Sequence, residues 1–335
     1  MEPPIVCSES EAATKMLRVE GHRWPLRHRH TVLASLAAVM LMAPLLLRTE
    51  YHYDVAILVG INAAVVISLN LLMGYAGQIS LGHAGFFGIG VYAGAILTGH
   101  YGWPPLLALA AGPVIAGVLA FAIARPILRL SGYYLAMATL GLGMIIFIVI
   151  QTEAGLTGGP DGMNVPPLSA FGVVLSGGKA WYWVIAAVLL LVSAGALNLI
   201  DSPVGRALRA LHGSEIAART AGVDVLRYKV LVFVLSAVIT ALMGGLFSFY
   251  SGFVTPGSAG FMHSVAFAVM VVLGGLSSVG GSLIGALILT VLPQVLVSFA
   301  EYEWLVYGLV LMLVMTRMPR GLVPALGSLI KRIAR

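Results

Sequence analysis

Long apolar stretches separated by short polar segments run through most of this chain. Ten can be marked, at roughly residues 31–48, 54–73, 76–98, 104–124, 133–151, 181–200, 229–250, 261–279, 281–300 and 303–317. Each is near the length of about 20 residues that an α-helix needs to cross the hydrocarbon core of a bilayer, and some, such as 303–317, are on the short side. Strands of a membrane barrel would instead alternate in polarity over about ten residues. The pattern therefore predicts an all-α, polytopic membrane protein with about ten transmembrane helices.

The composition indicates that lipid is the solvent of this chain. Of its 335 residues, 59% are hydrophobic and 10% are charged, whereas soluble domains have about 25% charged residues. The single cysteine, Cys7, excludes an intramolecular disulfide and a thiolate metal cluster. We expect no metal site. We also expect no nucleic-acid partner, because the basic residues of this chain lie in a few loops between apolar stretches.

The basic residues predict the orientation of the chain. With ten crossings and an inner N-terminus, the inner segments are 1–30, 125–132, 201–228, turns near 75 and 280, and 318–335. These segments and the adjoining helix ends hold every Lys and Arg except Arg48 and Lys179, as expected where basic residues favour the cytoplasmic side. Three regions follow: a cytoplasmic N-terminal tail (1–30), a transmembrane domain (31–317) and a basic cytoplasmic C-terminal tail (318–335).

The segment around residue 80 differs from an ordinary lipid-facing helix. It carries Asn70, Gln78, Ser80 and His83 among repeated glycines. Polar groups at membrane depth are costly and usually face protein or a water-filled path, and glycines allow close packing or a break in the helix. We predict a broken or re-entrant helix over 76–98 and a translocation path to which the four polar residues contribute. For His83 we favour the alternative of a buried imidazole hydrogen-bonded to a neighbouring carbonyl.

The segment 201–228 is predicted to form short helices on the inner side of the membrane. Asp201-Ser-Pro203 is a typical helix start, Ser214 can cap a second short helix, and Gly222 can end it. Three apolar residues are spaced to form one helix face: Ala207, Leu208 and Leu211. A capped amphipathic helix suits docking into a groove on a partner protein. A solvated basic loop is the alternative.

Part of this segment, Glu215-Ile-Ala-Ala-Arg-Thr-Ala-Gly222, resembles the Glu-Ala-Ala…Gly loop of permease subunits in ATP-binding-cassette importers. In that family the loop is the coupling helix that sits on the nucleotide-binding subunit. The small Ala217 and Ala218 would suit close approach to the partner's groove, and Glu215 could meet a basic group there. The residues expected to couple to the ATPase are Arg206, Arg209, Glu215, Ala217, Ala218 and Gly222.

Five further motifs narrow the resemblance to LivM-type branched-chain amino acid permeases. In chain order they are Gly74-Tyr-Ala-Gly-Gln-Ile-Ser-Leu-Gly-His-Ala-Gly-Phe-Phe-Gly-Ile-Gly90, Arg129-Leu-Ser-Gly-Tyr-Tyr-Leu-Ala-Met-Ala-Thr-Leu-Gly141, Leu156-Thr-Gly-Gly-Pro-Asp-Gly162, Val271-Val-Leu-Gly-Gly-Leu-Ser-Ser-Val-Gly-Gly281 and Met318-Pro-Arg-Gly-Leu322. The similarity covers about residues 55–322, and we identify no motif of the family in residues 1–50. Finding these motifs in the family's order makes the resemblance specific.

The resemblance implies a permease subunit without catalytic residues, in a bacterial inner membrane with both termini cytoplasmic. Its partners would be a LivH-like second permease, two ATP-binding subunits, a periplasmic substrate-binding protein and membrane lipid. ATP would bind only to the partner subunits, so we expect no cofactor in this chain; Ser176-Gly-Gly-Lys-Ala180 lacks the first glycine and the hydroxyl residue of a phosphate loop. The implied cargo is a branched-chain or related small amino acid.

Two alternatives remain open. The same importer architecture could carry urea, a short amide or a sugar, because selectivity largely rests with the binding protein. A self-sufficient channel or secondary transporter would also explain the apolar stretches and the polar, glycine-rich segment. It would not explain a capped amphipathic loop with the Glu-Ala-Ala…Gly pattern. No apolar stretch has Asp or Glu in its middle, so the sequence gives no support for proton coupling.

Overall fold

The computed structural model describes residues 26–46, 49–170, 173–295, 308, 309 and 312. Twelve α-helices lie in these residues: α1 (Leu26–Leu46), α2 (Glu50–Asn70), α3 (His83–Gly99), α4 (Pro105–Ile127), α5 (Tyr133–Thr152), α6 (Ala154–Thr157), α7 (Gly178–Asp201), α8 (Pro203–Gly213), α9 (Glu215–Thr220), α10 (Val225–Ser251), α11 (Phe261–Gly274) and α12 (Val279–Val295). The segments 1–25 and 318–335 and most of the tenth predicted stretch, 303–317, lie outside the described residues.

The described helices confirm the all-α membrane class. Five helical segments are long and apolar enough to cross a bilayer: Glu50–Tyr75, Pro105–Ile127, Tyr133–Thr152, Gly178–Asp201 and Val225–Ser251. Four shorter apolar helices coincide with other predicted stretches: Thr31–Leu45, His83–Gly99, Phe261–Gly274 and Val279–Gln294. Nine of the ten predicted stretches are thus helical in the part of the chain that the structure describes.

Helices α2, α3 and α10 form the centre of the bundle. The most apolar window of α2 is 72% buried, against 22% for α4 at the periphery. Close crossing of α3 and α10 depends on two glycines. A Cβ at Gly90 would overlap the carbonyl of Ala241, and a Cβ at Gly244 would overlap that of Phe87. The glycine-rich composition therefore serves close backbone packing.

The stretch predicted as a broken or re-entrant helix, 76–98, is broken at its start. α2 continues as a π-helical turn, Leu71–Tyr75, and residues 76–82 are not helical before α3 begins at His83. Gly77 has a φ of +67°, which a side chain would disfavour. The Leu81 N–H, which lies outside any helix, donates to Thr139 Oγ1 at 3.1 Å. The break is therefore held by specific polar contacts.

Short irregular segments connect the helices at the end of the bundle opposite α8 and α9. Strand β1 (Met163–Asn164) pairs antiparallel with β4 (Phe253–Val254), and β2 (Ser169–Ala170) pairs with β3 (Val173–Val174). After β4 a 3₁₀ turn, Pro256–Ala259, packs against α3 and α5 inside the bundle. α11 consequently begins beside α3, and its 14 residues are shorter than the predicted stretch 261–279.

Candidate functional site

Two short helices at one end of the bundle have the local geometry predicted for 201–228. α8 begins after Ser202, whose Oγ accepts a hydrogen bond from the Gly205 N–H at 3.3 Å. α9 begins after Ser214, whose Oγ accepts from the Ala217 N–H at 3.3 Å. Such caps satisfy first-turn N–H groups that have no carbonyl partner. Both predicted helix starts are confirmed.

Gly222 follows the end of α9 in a left-handed conformation, with a φ of +82°. Its N–H donates to the carbonyl of Arg219 at 3.0 Å, and the Val223 N–H donates to that of Ala218 at 3.0 Å. No heavy atom outside its chain neighbours lies within 4 Å of an added Cβ. Glycine is therefore favoured here by the backbone conformation and not by steric crowding.

α8 has one buried apolar face and one exposed basic face, as the spacing of its apolar residues predicted. Ala207, Leu208 and Leu211 are buried against the bundle, whereas Arg206 and Arg209 are exposed. α8 packs against α10 and against the π-helical turn Leu71–Tyr75. The helix is therefore fixed to the broken part of the membrane domain and presents its basic face outward.

α9 presents a different surface from the one expected. Ala218 is only 3% exposed, because it packs against this chain, so it does not offer a small surface to a partner. Ala217 is exposed as expected. Beside it Ile216 is 78% exposed, the largest value among the exposed large hydrophobic side chains of the described residues. The Ile216 side chain is therefore available for contact on the outer surface of α9.

Glu215 is bound within the chain. Its Oε1 accepts a hydrogen bond from Lys229 Nζ at the start of α10, and its Oε2 lies 3.8 Å from Arg219 Nη2. The Lys229 side chain is 5% exposed and that of Glu215 is 38% exposed. The basic group that Glu215 meets in the described structure is thus Lys229, and contact of Glu215 with a partner subunit stays a prediction.

The four polar residues predicted to line a path are all buried. The Asn70 side chain forms hydrogen bonds within the chain, to the link between α11 and α12 and to the first turn of α12. Its Nδ2 donates to Ser282 Oγ at 2.7 Å and to the Ser278 carbonyl at 3.0 Å, and its Oδ1 accepts from the Ser277 N–H at 2.9 Å. Asn70 therefore ties the end of α2 to the second half of the chain, and its role in a path stays a prediction.

His83 lies in a chain of hydroxyl groups between α2, α3 and α10. Its Nδ1 is 2.8 Å from Ser80 Oγ and its Nε2 is 2.9 Å from Ser236 Oγ. Ser236 Oγ donates to Ser68 Oγ at 3.4 Å, which lies 3.4 Å from Thr240 Oγ1. The imidazole is buried as we favoured, but its partners are hydroxyls and not a backbone carbonyl. The i, i+4 spacing of Ser236 and Thr240 could have indicated this polar face on α10.

Gln78 lies in the non-helical segment 76–82 and is 1% exposed. Its backbone N–H donates to the Leu72 carbonyl at 3.1 Å. Neither its Oε1 nor its Nε2 has a hydrogen-bond partner among the described residues. A buried carboxamide without a partner costs about 1–3 kcal/mol, so this side chain is suited to gain a partner in another conformation or from bound water.

The described residues contain no group of three or more His, Cys, Asp or Glu side chains that could hold a metal ion. The residues that sequence reasoning missed are the exposed Ile216, the link serines Ser277 and Ser278, and Ser282 in the first turn of α12. The two link serines lie within the recognised motif Val271–Gly281, which could have pointed to them.

The comparisons with known proteins agree with these features. The family described as branched-chain amino acid transport system / permease component matches residues 51–315. The LivM permease protein of the high-affinity branched-chain amino acid transport system of Escherichia coli K12 is 33% identical over 295 residues, which cover 81% of this chain and 69% of that protein.

Two other relatives are more distant. The LivH permease protein of the same system in Escherichia coli K12 is 28% identical over 287 residues, covering 78% of this chain and 90% of LivH. The autoinducer 2 import system permease protein LsrC of Klebsiella pneumoniae is 32% identical over 195 residues, covering 55% of this chain and 54% of LsrC. No solved structure matches the chain significantly. The extent of the family match and the similarity to LivM show that this chain belongs to the branched-chain amino acid transport permease family, and that it is of the LivM type.

Proposed function

We propose that this chain is one permease subunit of an ATP-driven importer for branched-chain or related small amino acids. A LivH-like permease completes the membrane part, because LivM and LivH relatives belong to one transport system by name. Two ATP-binding subunits dock at α8 and α9, and a periplasmic binding protein delivers cargo at the opposite end. The complex lies in a bacterial inner membrane, with both termini of this chain in the cytoplasm.

The surface of α8 and α9 is the observation that carries this proposal. Both helices are capped, α8 is packed on the bundle through an apolar face, and Ile216 projects from α9. A rigid helix with one exposed apolar side chain is suited to a hydrophobic groove on a partner. Arg206 and Arg209 lie on the outward face of α8, where they favour acidic groups of the same partner.

ATP binding and hydrolysis take place on the partner subunits in this mechanism. Movement of the docked helices reaches the membrane domain through α8, which packs directly on the π-helical turn. The membrane domain then exposes the cargo path to alternate sides. An apolar amino acid needs few polar contacts in transit.

The cargo has a second candidate. LsrC is named for autoinducer 2 import, so a permease similar to this chain is associated with another kind of cargo. The uptake experiment therefore compares radiolabelled leucine, isoleucine and valine with urea, a short amide and a pentose. The importer is assembled from this chain with a LivH-like permease, two ATPase subunits and a binding protein, and is reconstituted in proteoliposomes.

We expect uptake of branched-chain amino acids only with ATP and with both ATPase subunits present. Ile216→Asp should abolish substrate-stimulated ATP hydrolysis, because a carboxylate replaces the apolar contact, while Thr220→Asp on the same short helix is the matched control and should have little effect. Uptake driven by an ion gradient with this chain alone would overturn the proposal in favour of a secondary transporter. ATP-dependent uptake of a pentose alone would retain the importer and overturn the cargo.

A further inference from the structure

The link between α11 and α12 contains a strained residue. Ser277 has a φ of +60° and is the one non-glycine residue with a positive φ in the part of the chain that the structure describes. A side chain in this region costs about 1 kcal/mol or more. A strained conformation persists only where surrounding contacts hold it. The contacts of Ser277 therefore show which part of the chain fixes the link.

Three hydrogen bonds hold Ser277, one from Asn70 at the end of α2 and two from the π-helical turn that follows it. Its N–H donates to Asn70 Oδ1 at 2.9 Å, its Oγ donates to the Gly74 carbonyl at 2.6 Å, and its carbonyl accepts from Tyr75 OH at 2.7 Å. Asn70 also binds Ser278, just before α12, and Ser282 in its first turn. We call these contacts around Ser277 the Asn70 clamp.

The same π-helical turn is also in contact with the first of the two docking helices. α8 packs against Leu71–Tyr75. The imidazole of His212, at the end of α8, lies over Gly77, where an added Cβ would come within 3.1 Å of Nδ1. The turn therefore contacts both α8 and the α11–α12 link. The unpaired carboxamide of Gln78 lies in the next residues of the chain.

We propose that the Asn70 clamp transmits movement of α8 to α11 and α12, and that Asn70 and Ser277 are positioning residues for transport. This inference rests on the proposed function, since it assumes that α8 and α9 dock on an ATPase. A link held in a strained conformation by directional bonds moves as one body with the π-helical turn. Without the clamp, α8 and the turn would move while α11 and α12 relax independently.

The test measures molecules transported per ATP hydrolysed in the reconstituted importer. Asn70→Leu removes all clamp bonds of Asn70 with little change in volume. The matched control is Asn62→Leu, on the same helix, where Nδ2 donates to Thr290 Oγ1 of α12 at 2.9 Å. Both changes remove a bond between α2 and α12, but only Asn70 binds the link. Ser277→Ala is a smaller change that removes the bond to the Gly74 carbonyl.

We expect Asn70→Leu to lower transport per ATP by at least about tenfold, because it removes three buried hydrogen bonds and a net loss of one or two already corresponds to that factor. Ser277→Ala should lower the ratio to a smaller extent, and Asn62→Leu should leave it unchanged. Equal effects of Asn70→Leu and Asn62→Leu would overturn the proposal. If Asn70→Leu fails to assemble, a wild-type ratio for Ser277→Ala overturns it. Absence of ATP-dependent uptake by the wild-type complex would instead refute the proposed function.

Discussion

The ion pair between Glu215 and Lys229 predicts an asymmetric response to mutation. Lys229 has a side chain that is 5% exposed, so in Glu215→Gln its ammonium group is left buried without an anion. Removing one partner of a buried pair costs about 3–5 kcal/mol. In Lys229→Met the remaining carboxylate is 38% exposed and still lies beside Arg219. It can be hydrated, so we expect a cost of about 1 kcal/mol or less.

The local stability of α9 is the quantity to measure. Its backbone N–H groups include those of Ala218 and Ala221, which donate to carbonyls one turn earlier. Hydrogen exchange of residues 217–223 in the purified complex reports their opening free energy. A difference of at least about 2 kcal/mol between the two variants corresponds to about a 30-fold difference in protection. Arg219→Gln is the control. It should change protection little, because its ion pair is 3.8 Å long and its side chain is 68% exposed.

The double variant provides the decisive result. Glu215→Gln with Lys229→Met removes the unpaired ammonium that the first change creates, so α9 should regain most of its protection. If the two single effects are equal, or if they add in the double variant, Lys229 is not held by Glu215 and the argument from burial fails.

Three further outcomes follow from local geometry. Gly222→Val should uncouple ATP hydrolysis from substrate in the reconstituted complex, because its φ of +82° strains a branched side chain, whereas Gly222→Asn should retain most coupling; equal activity of the two contradicts this. His83→Leu removes the imidazole that two buried hydroxyls contact, which costs about 1–3 kcal/mol. The assembled fraction measured by gel filtration should therefore fall, and full assembly would contradict this prediction. With Cys7 replaced, a cysteine introduced at Pro160 should be labelled from outside the cell and one introduced at His212 from inside. Labelling of position 212 from outside refutes the predicted topology.

The sequence was most informative where the determining contacts are local. A serine cap acts on the N–H three residues later, and a left-handed glycine ends the helix directly before it. Ser202, Ser214 and Gly222 could therefore be placed correctly from short sequence patterns. The apolar face of α8 followed from spacing in the same way. The length and polarity of the apolar stretches likewise predicted nine of the helices in the described part of the chain.

The sequence could not give contacts that join distant segments. Asn70 binds residues more than 200 positions away, and His83 meets Ser236 across 153 positions. The partner of Glu215 was missed for a related reason. Lys229 at a helix end is ordinarily solvated, and its burial depends on how α9 folds back on α10. The exposure of Ile216 likewise depends on which side of a six-residue helix packs on the bundle.

The burial of the polar residues changes what a mutation at each of them can reveal. Asn70 and His83 hold together segments from the two halves of the chain, so their loss should alter assembly or coupling before it alters cargo affinity. Gln78 has no such structural partner among the described residues. A change at Gln78 that raises the KM for cargo while preserving assembly would therefore indicate a path residue. The same kinetic change at Asn70 would need the Asn62 control before it could be assigned to the path, because displacement of the α11–α12 link could also produce it.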